Sequence, residues 1–441
     1  MNSRQRRTFL VALAMLAPNF LGFVVFTAGP VVFSFIMAFT DWNLTLHNAY
    51  SNNKVMFVGL ENFRALLGGE EWRYFSKYFY NTVYLMLIIP LDIALSLLAA
   101  LALNSNIESL RGDRRHTGPV SIAVIAILGI IGMAMAGAHP FAIFMLVVTA
   151  LVIILGLYLG QTSFRTLFYL PYLTSGVATY ILWKALYRPE TGPINRGLRI
   201  PLIGLSNTVA HTPAVLWNAA GWAMIIASAV LMVWFAVVMI KKYIYKDIGI
   251  AGVIFSCIGV ALLLAGIAGI GHVISSLPHM VRPSPAAVVM LEPPKWLVDT
   301  TWSKPAIMLM SVFMSIGSNN MLMYLAALSN VPRNLYEAAS IDGANGWQTF
   351  WNITWPQLAP TTFFIVIMHT IGGLQGGFDM ARVMTQGGPA GSTTTLAYYL
   401  YERGFTDFKL GLASAIAWTM FAMIFVLTII NWRYGNKMVN D

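Results

Sequence analysis

The sequence predicts an all-α polytopic membrane protein of about ten transmembrane helices, and three observations lead there. Of its 441 residues, 58% are hydrophobic and only 10% charged, whereas soluble domains carry about 25% charged residues. Uncharged apolar stretches of about 20 residues, the length that crosses a bilayer, recur along the whole chain. The Lys and Arg behind the net charge of +10 stand in short tufts between those stretches, as surface anchors of spans do, so the charge reads as membrane orientation and not as a nucleic-acid footprint. The single cysteine, Cys257, lies inside an apolar run. It can form no internal disulfide, and the absence of clustered Cys and His argues against a metal or redox centre.

In chain order, Arg4, Arg6 and Arg7 precede an uncharged stretch that ends near Thr40. A cleavable signal peptide has an apolar region of about 7 to 15 residues, so this longer stretch is expected to remain as a signal anchor and first span, 9–40. Two spans would need about 40 residues, so one helix bent near Pro18 or Pro30 is expected. Further spans are expected at 81–103, 120–138, 141–159, 166–187, 214–240, 248–273, 306–328, 357–378 and 410–430. Arg111, Arg114 and Arg115, then Lys241, Lys242 and Lys246, are packed into short loops, while the alternate loops mix bases with acids. The positive-inside rule for short loops then puts both termini in the cytoplasm.

The loop at 331–356 is the most informative. Asn334 is expected to cap a short helix, with Glu337 reaching back in a capping box, and Gly343 to stop it. A second helical turn should run from Gly346 to Ile353, with Pro356 opening the next span. The product is a helix-turn-helix at the membrane surface. Its first helix offers small Ala338 and Ala339 for close approach and the acids Glu337 and Asp342 for a partner's bases, the properties of a docking knob.

That spacing, Glu337-Ala338-Ala339 followed by Gly343, Ile353 and Pro356, resembles the EAA loop of binding-protein-dependent ABC importer permeases, whose coupling helix sits in a cleft of a cytoplasmic ATPase. Trp355 departs from the leucine usual before the proline. The sugar-permease branch is matched best, and Phe57 to Phe63, Phe164 to Tyr172, Trp183-Lys184 with Pro189 to Asn195, and Thr385 to Tyr401 with Leu412 to Ala417 resemble its other blocks. The maltose and glycerol-phosphate uptake systems are the best-known relatives. The resemblance implies one membrane permease domain over 1–441, with core spans 9–40, 81–103, 166–187, 306–328, 357–378 and 410–430 and accessory hairpins at 118–160 and 214–273. It also implies the partners: a second permease subunit, two ATPase subunits that bind ATP and Mg, and an extracytoplasmic solute-binding protein, with Gly387, Gly388 and Pro389 in the loop facing the last of these. No Gly-x-x-x-x-Gly-Lys-Ser/Thr occurs here, so the chain is expected to bind no nucleotide cofactor and to be no ATPase.

Polar groups at membrane depth usually face a cavity or the bundle interior. Two clusters qualify as a substrate pathway: Ser318, Asn319 and Asn320, and the glycine-rich stretch carrying Gln375 and Asp379. A sugar is met by amides, carboxylates and hydroxyls that donate and accept in pairs, and Arg382 is the base near this set. The competing reading is that the glycines permit close helix packing and the amides bond to neighbouring helices. Asp92 and His369, lone titratable groups, read as hydrogen-bonded to adjacent helices, and Tyr398, Tyr399 and Tyr401 as an aromatic belt. An ABC permease for a non-sugar solute is the nearest alternative function. An ion-coupled secondary transporter would show repeated halves, and a membrane enzyme a convergent catalytic set; neither pattern is evident.

Overall fold

The computed structural model describes residues 3–48, 50–51, 53–104, 169, 172, 174, 176–244, 250–281 and 290–440. The expected hairpin at 118–160, most of the Phe164 to Tyr172 block and the basic tufts at Arg111 to Arg115 and Lys246 lie outside these residues. Among the described residues the chain is helical, with one isolated antiparallel bridge between Thr40 and Phe57. Six helical stretches among the described residues are long and apolar enough to cross a membrane: Val11–Met37, Trp72–Asn104, Ala214–Lys241, Ser303–Asn330, Gly346–Gln375 and Leu410–Arg433. The chain is a multi-pass membrane protein. It gathers into two compact units, one of 1–87 with 363–433 and the other of 88–362 with 434–441.

The first unit begins with α1 (Ser3–Phe23), a π-helical turn at Val24–Ala28 and α2 (Gly29–Met37). Pro30 supplies no N–H to the preceding turn, and the widened π turn just before it absorbs the missing bond. Of the two prolines expected to perturb this span, Pro18 therefore lies within regular helix and Pro30 marks the irregularity. α3 (Glu61–Gly68) follows, anchored by Asn62, whose Nδ2 donates to the carbonyls of Ala38 and Thr40 at 2.9 and 2.8 Å. α4 (Trp72–Met86) starts nine residues ahead of the expected span at 81–103. Those extra residues are explained by packing: Phe75 joins Leu66 in a buried cluster with residues that come from the far end of the chain, Leu396, Tyr399, Leu412, Ile416 and Met420.

The second unit opens with α5 (Ile89–Asn104), which starts after a turn at 87–88 and carries Pro90 in its first turn, where its missing N–H costs nothing. α6 (Gly176–Leu186) is the described part of the span expected at 166–187. α7 (Pro193–His211), unexpected from sequence, runs through Pro201 and is tied down by Asn195, which donates to the Pro189 and Pro294 carbonyls and accepts from Trp296 Nε1 at 2.6 Å. α8 (Ala214–Ile244) and α9 (Ile250–Met280), where the second accessory hairpin was expected, are each longer than expected and pack along their length. Gly221 meets Gly271 where they cross, and a Cβ on either would strike the other's backbone carbonyl. Small residues at such a crossing let two membrane helices approach closely.

The span expected at 306–328 is two helices, α10 (Ser303–Ser315) and α11 (Asn319–Asn330), which pack on α5. The loop between spans holds α12 (Arg333–Ile341) and α13 (Gly346–Thr349). α13 runs through a second π turn, Phe350–Thr354, into α14 (Trp355–Gln375), so that Gly346–Gln375 is one helical stretch. The π turn again precedes a proline, here Pro356, and for the same reason. Pro356 lies in the first turn of α14, as expected, and the π turn joins that helix to α13 without a break. Past Gly376-Gly377 come α15 (Phe378–Met380), a π turn at Ala381–Thr385, α16 (Leu396–Tyr401), another π turn at Glu402–Thr406, and α17 (Leu410–Asn440).

Candidate coupling loop and pathway

In the 331–356 loop the predicted cap is displaced. Pro332, at φ −61° and ψ 129°, occupies the N-cap of α12 without a side-chain bond, leaving Asn334 inside the helix. Proline is pre-set for a helix start, so it fixes the boundary before Asn334 can. The capping box forms instead at α13: Asn345 Oδ1 accepts from the Gln348 amide and Gln348 Oε1 from the Asn345 amide, both at 2.9 Å. Gly343 follows the end of α12 at φ +71°, and its N–H reaches the Ser340 carbonyl. Glycine adopts that conformation without steric cost. Ala339 is buried, while Glu337, Ala338, Asp342 and Gly343 are exposed. Ile341, a large apolar side chain, is 87% exposed. Behind this surface the Tyr336 hydroxyl meets Thr354 Oγ1 at 3.1 Å and joins α12 to the foot of the next span.

The two pathway clusters fall in different units. In the second unit, Ser318 stands at the break between α10 and α11, where its Oγ meets Ser96 Oγ of α5 at 3.1 Å. Ser96 also contacts the Ser315 carbonyl at 2.9 Å, and Asp92 shares a hydrogen bond with Ser315. Asp92 thus touches the adjacent helix through one oxygen, while its buried Oδ1 has no hydrogen-bond partner among the described residues, and Ser318 helps to pin the break. Asn320 is buried and Asn319 exposed. In the first unit, Gln375 ends α14 and is exposed, as is Asp379 beyond the left-handed Gly377. His369 Nδ1, expected to bond to an adjacent helix, contacts the Ile365 carbonyl of its own helix at 3.0 Å. Arg382, the base expected near these groups, lies over the Tyr401 ring at 4.6 Å and the Phe378 ring at 5.7 Å.

The loop after it is tightly held. Gly387 is buried, and its carbonyl and that of Gly388 accept from the hydroxyls of Thr394 and Thr393, at 3.2 and 2.8 Å; the Gly388-Pro389 peptide is cis. From α4, Asn81 Nδ2 donates to the Gly391 and Thr394 carbonyls, Lys77 Nζ to the Ala390 carbonyl at 2.6 Å, and Thr82 Oγ1 accepts from the Leu396 amide. Tyr399, expected in an aromatic belt, is only 1% exposed, and Tyr398 is buried too. Tyr399 donates to Glu71 Oε2 at 2.6 Å, and Arg403 bridges Glu71 at 2.8 Å and Asp407 at 2.6 Å. Burial, reinforced by Glu71, pushes the Tyr399 hydroxyl pKa up. Burial alone would lower that of Arg403, but its Tyr399, Asp407 and Glu71 partners outweigh this and hold it above the ordinary arginine value. A polar partner in the interior, not lipid, explains Tyr399, and the Tyr398 ring packs beside those of Phe378 and Tyr401.

Residues 250–438 match the family model of binding-protein-dependent transport system inner membrane components. A sn-glycerol-3-phosphate transport system permease protein of Brucella abortus is 40% identical over 123 residues, 28% of this chain and 42% of that one, so the match spans less than half of that relative's length. A putative ABC transporter permease protein of Caldicellulosiruptor is 47% identical over 104 residues, 24% of this chain and 74% of its own. A chain from the crystal structure of a bacterial alginate ABC transporter, in complex with a periplasmic protein carrying an alginate pentasaccharide, superposes with a TM-score of 0.57 at 16% identity, covering 99% of this chain and 97% of that one. That likeness is one of fold. With a relative so similar matched over most of its length, the chain belongs to the ABC transporter permeases.

Proposed function

We propose that the chain is the permease subunit of an ATP-driven importer for a sugar or sugar derivative, forming half of the translocation pathway beside a second permease subunit. The observation that carries the reading is the exposed coupling helix, stopped by a left-handed Gly343 and offering Glu337, Ala338, Ile341 and Asp342 outward. Two ATPase subunits holding ATP and Mg close beneath such loops, and their closure, transmitted through α12 and the Tyr336 to Thr354 contact, turns the cavity outward. An extracytoplasmic binding protein delivers the solute near the Gly387-Gly388-Pro389 loop, and Asn319, Asn320, Gln375 and Asp379 meet its hydroxyls. Both termini lie in the cytoplasm. The names of the relatives, a glycerol-3-phosphate system and an alginate transporter, support a hydroxyl-rich substrate.

Glu337→Lys reverses a charge on the docking helix, and Gly343→Pro forbids the left-handed stop. Each should leave the protein inserted in the membrane while abolishing ATP-driven uptake. Normal transport by either variant would refute the assignment of this loop.

A further inference from the structure

The helical stretch Gly346–Gln375 contains 30 residues, whereas about 20 suffice to cross the hydrocarbon core of a bilayer. Residues 356–375 are the apolar part. The first ten, 346–355, are the overhang, and their composition is unusual. They carry no Asp, Glu, Lys or Arg, yet include Trp347, Phe350, Trp351 and Trp355 beside Gln348, Asn352 and two threonines. The neighbouring α12, by contrast, carries Arg333 and Glu337.

The rings form a continuous strip: Trp347 to Trp351 at 5.6 Å, Phe350 to Trp351 at 5.2 Å and Trp351 to Trp355 at 5.9 Å between centroids. In a regular α-helix, residues four apart drift by about 40° around the axis. The π turn Phe350–Thr354 winds more slowly, which counters that drift and keeps the three tryptophans nearly in line. Trp347 is 70% and Trp351 45% exposed. Thr354, on another side of the stretch, is buried and contacts Tyr336.

We propose that this strip is a membrane anchor seated in the headgroup layer of the lipid bilayer, and that it sets the depth at which the coupling helix is held. Lipid is favoured over a protein groove by continuity, since the strip runs without interruption into a membrane span, and by chemistry, since uncharged amphipathic tryptophan is the residue type that bilayer interfaces enrich. Thr354 and Tyr336 then transmit that depth to α12.

The test uses the full chain in a Cys257→Ser background, spin-labelled at Trp351→Cys or Asn352→Cys and reconstituted into phosphatidylcholine vesicles. Collisions with oxygen should dominate at position 351 and collisions with a water-soluble nickel chelate at 352. Equal nickel access at both positions, or protection of 351 only after the ATPase is added, would overturn the proposal, the latter by making the strip a protein-docking face. This arm does not depend on the function proposed above. A second arm, which does, compares Trp347→Gln/Trp351→Gln with Trp347→Phe/Trp351→Phe. The glutamine pair should lose most ATP-driven uptake while retaining the copurifying ATPase, and the phenylalanine pair should restore uptake. Wild-type uptake by the glutamine pair, or loss of the ATPase from it, overturns the anchor role.

Discussion

The segment 378–411 and the loop 331–356 are both short-element connections between membrane spans, yet they are finished to different degrees. In the first, the backbone carbonyls of Gly387, Gly388, Ala390, Gly391 and Thr394 all have side-chain donors, and Arg403 is embedded between Glu71 and Asp407. In the second, α13 has its capping box but α12 starts at Pro332 with no side-chain cap, and although Val331, Ala339 and Thr354 are buried, many other side chains are exposed, Ile341 and Trp347 most of all among the large apolar ones. The difference separates two uses of a connection. A loop whose polar groups are consumed internally holds a fixed shape; one that spends its bonds on its own backbone and leaves its side chains free is shaped to be covered. Substitutions in the first should therefore register as stability, and in the second as coupling.

The largest effect is expected from Arg403→Ala. The guanidinium pairs with both Glu71 and Asp407 and stacks near Tyr74 and Tyr399 at 5.3 Å. The pair with Glu71 is partly buried, with side chains 18% and 13% exposed, so its loss costs about 1 to 3 kcal/mol, between an exposed pair and a fully buried one, and here Glu71 would keep the Tyr399 hydroxyl. Thermal unfolding of the purified protein in detergent, followed by circular dichroism, should show a clear drop in midpoint. An unchanged midpoint would mean that this segment is not held by its ion pairs.

Asn81→Leu comes next. It leaves the Gly391 and Thr394 carbonyls without the amide that serves both, at about 1 to 3 kcal/mol for a buried group left unpaired. The same unfolding measurement applies, and limited proteolysis should cut near Ala390 faster than in the wild type. Equal proteolysis rates would place the restraint on this loop elsewhere.

How much of this contrast is legible in the sequence depends on the range of the interactions. The spans are readable because their signal is local, a run of apolar residues long enough for a bilayer. The Gly343 stop is readable for the same reason. The capping box is recognisable as a type but falls at a different site: Asn334 with Glu337 and Asn345 with Gln348 have the same spacing, and the decision between them comes from Pro332, which begins α12 too early for Asn334 to cap it. Tyr399 reads wrongly as a belt residue because its partner Glu71 lies 328 residues away in sequence, a distance no local pattern crosses. α7 escapes notice because Pro201 and its two arginines look like loop, and the aromatic start of α4 because it packs against residues near the far end of the chain. The polarity of Ser318 at depth locates the break between α10 and α11 but not the serine-to-serine contact that pins it.

A smaller loss is expected from Asn345→Ala, which removes the box that starts α13. N-cap truncations cost about 1 kcal/mol, and here the cost is confined to the start of one helix. The unfolding midpoint should move little, while amide hydrogen exchange at Gln348, which loses its acceptor, should accelerate. Unaltered exchange would show that the helix start is held by its neighbours and not by its cap.

Ile341→Ser should have the smallest effect on the protein itself and is the sharpest test of the contrast. At 87% exposed, Ile341 buries almost no surface in this chain, and exposed substitutions usually stay within about 0.5 kcal/mol. An isoleucine at the end of a short helix, beside exposed Ala338 and Asp342, has no packing reason among the described residues to be apolar. If it seats in a groove of the ATPase, serine forfeits the burial of an aliphatic side chain, about 1.5 to 3 kcal/mol, and copurification of that subunit should fall about tenfold or more, since 1.4 kcal/mol corresponds to a factor of ten. The unfolding midpoint should meanwhile match the wild type. Full retention of the ATPase would remove Ile341 from the docking surface, and a lowered midpoint would show that this loop, like the 378–411 segment, is covered from within.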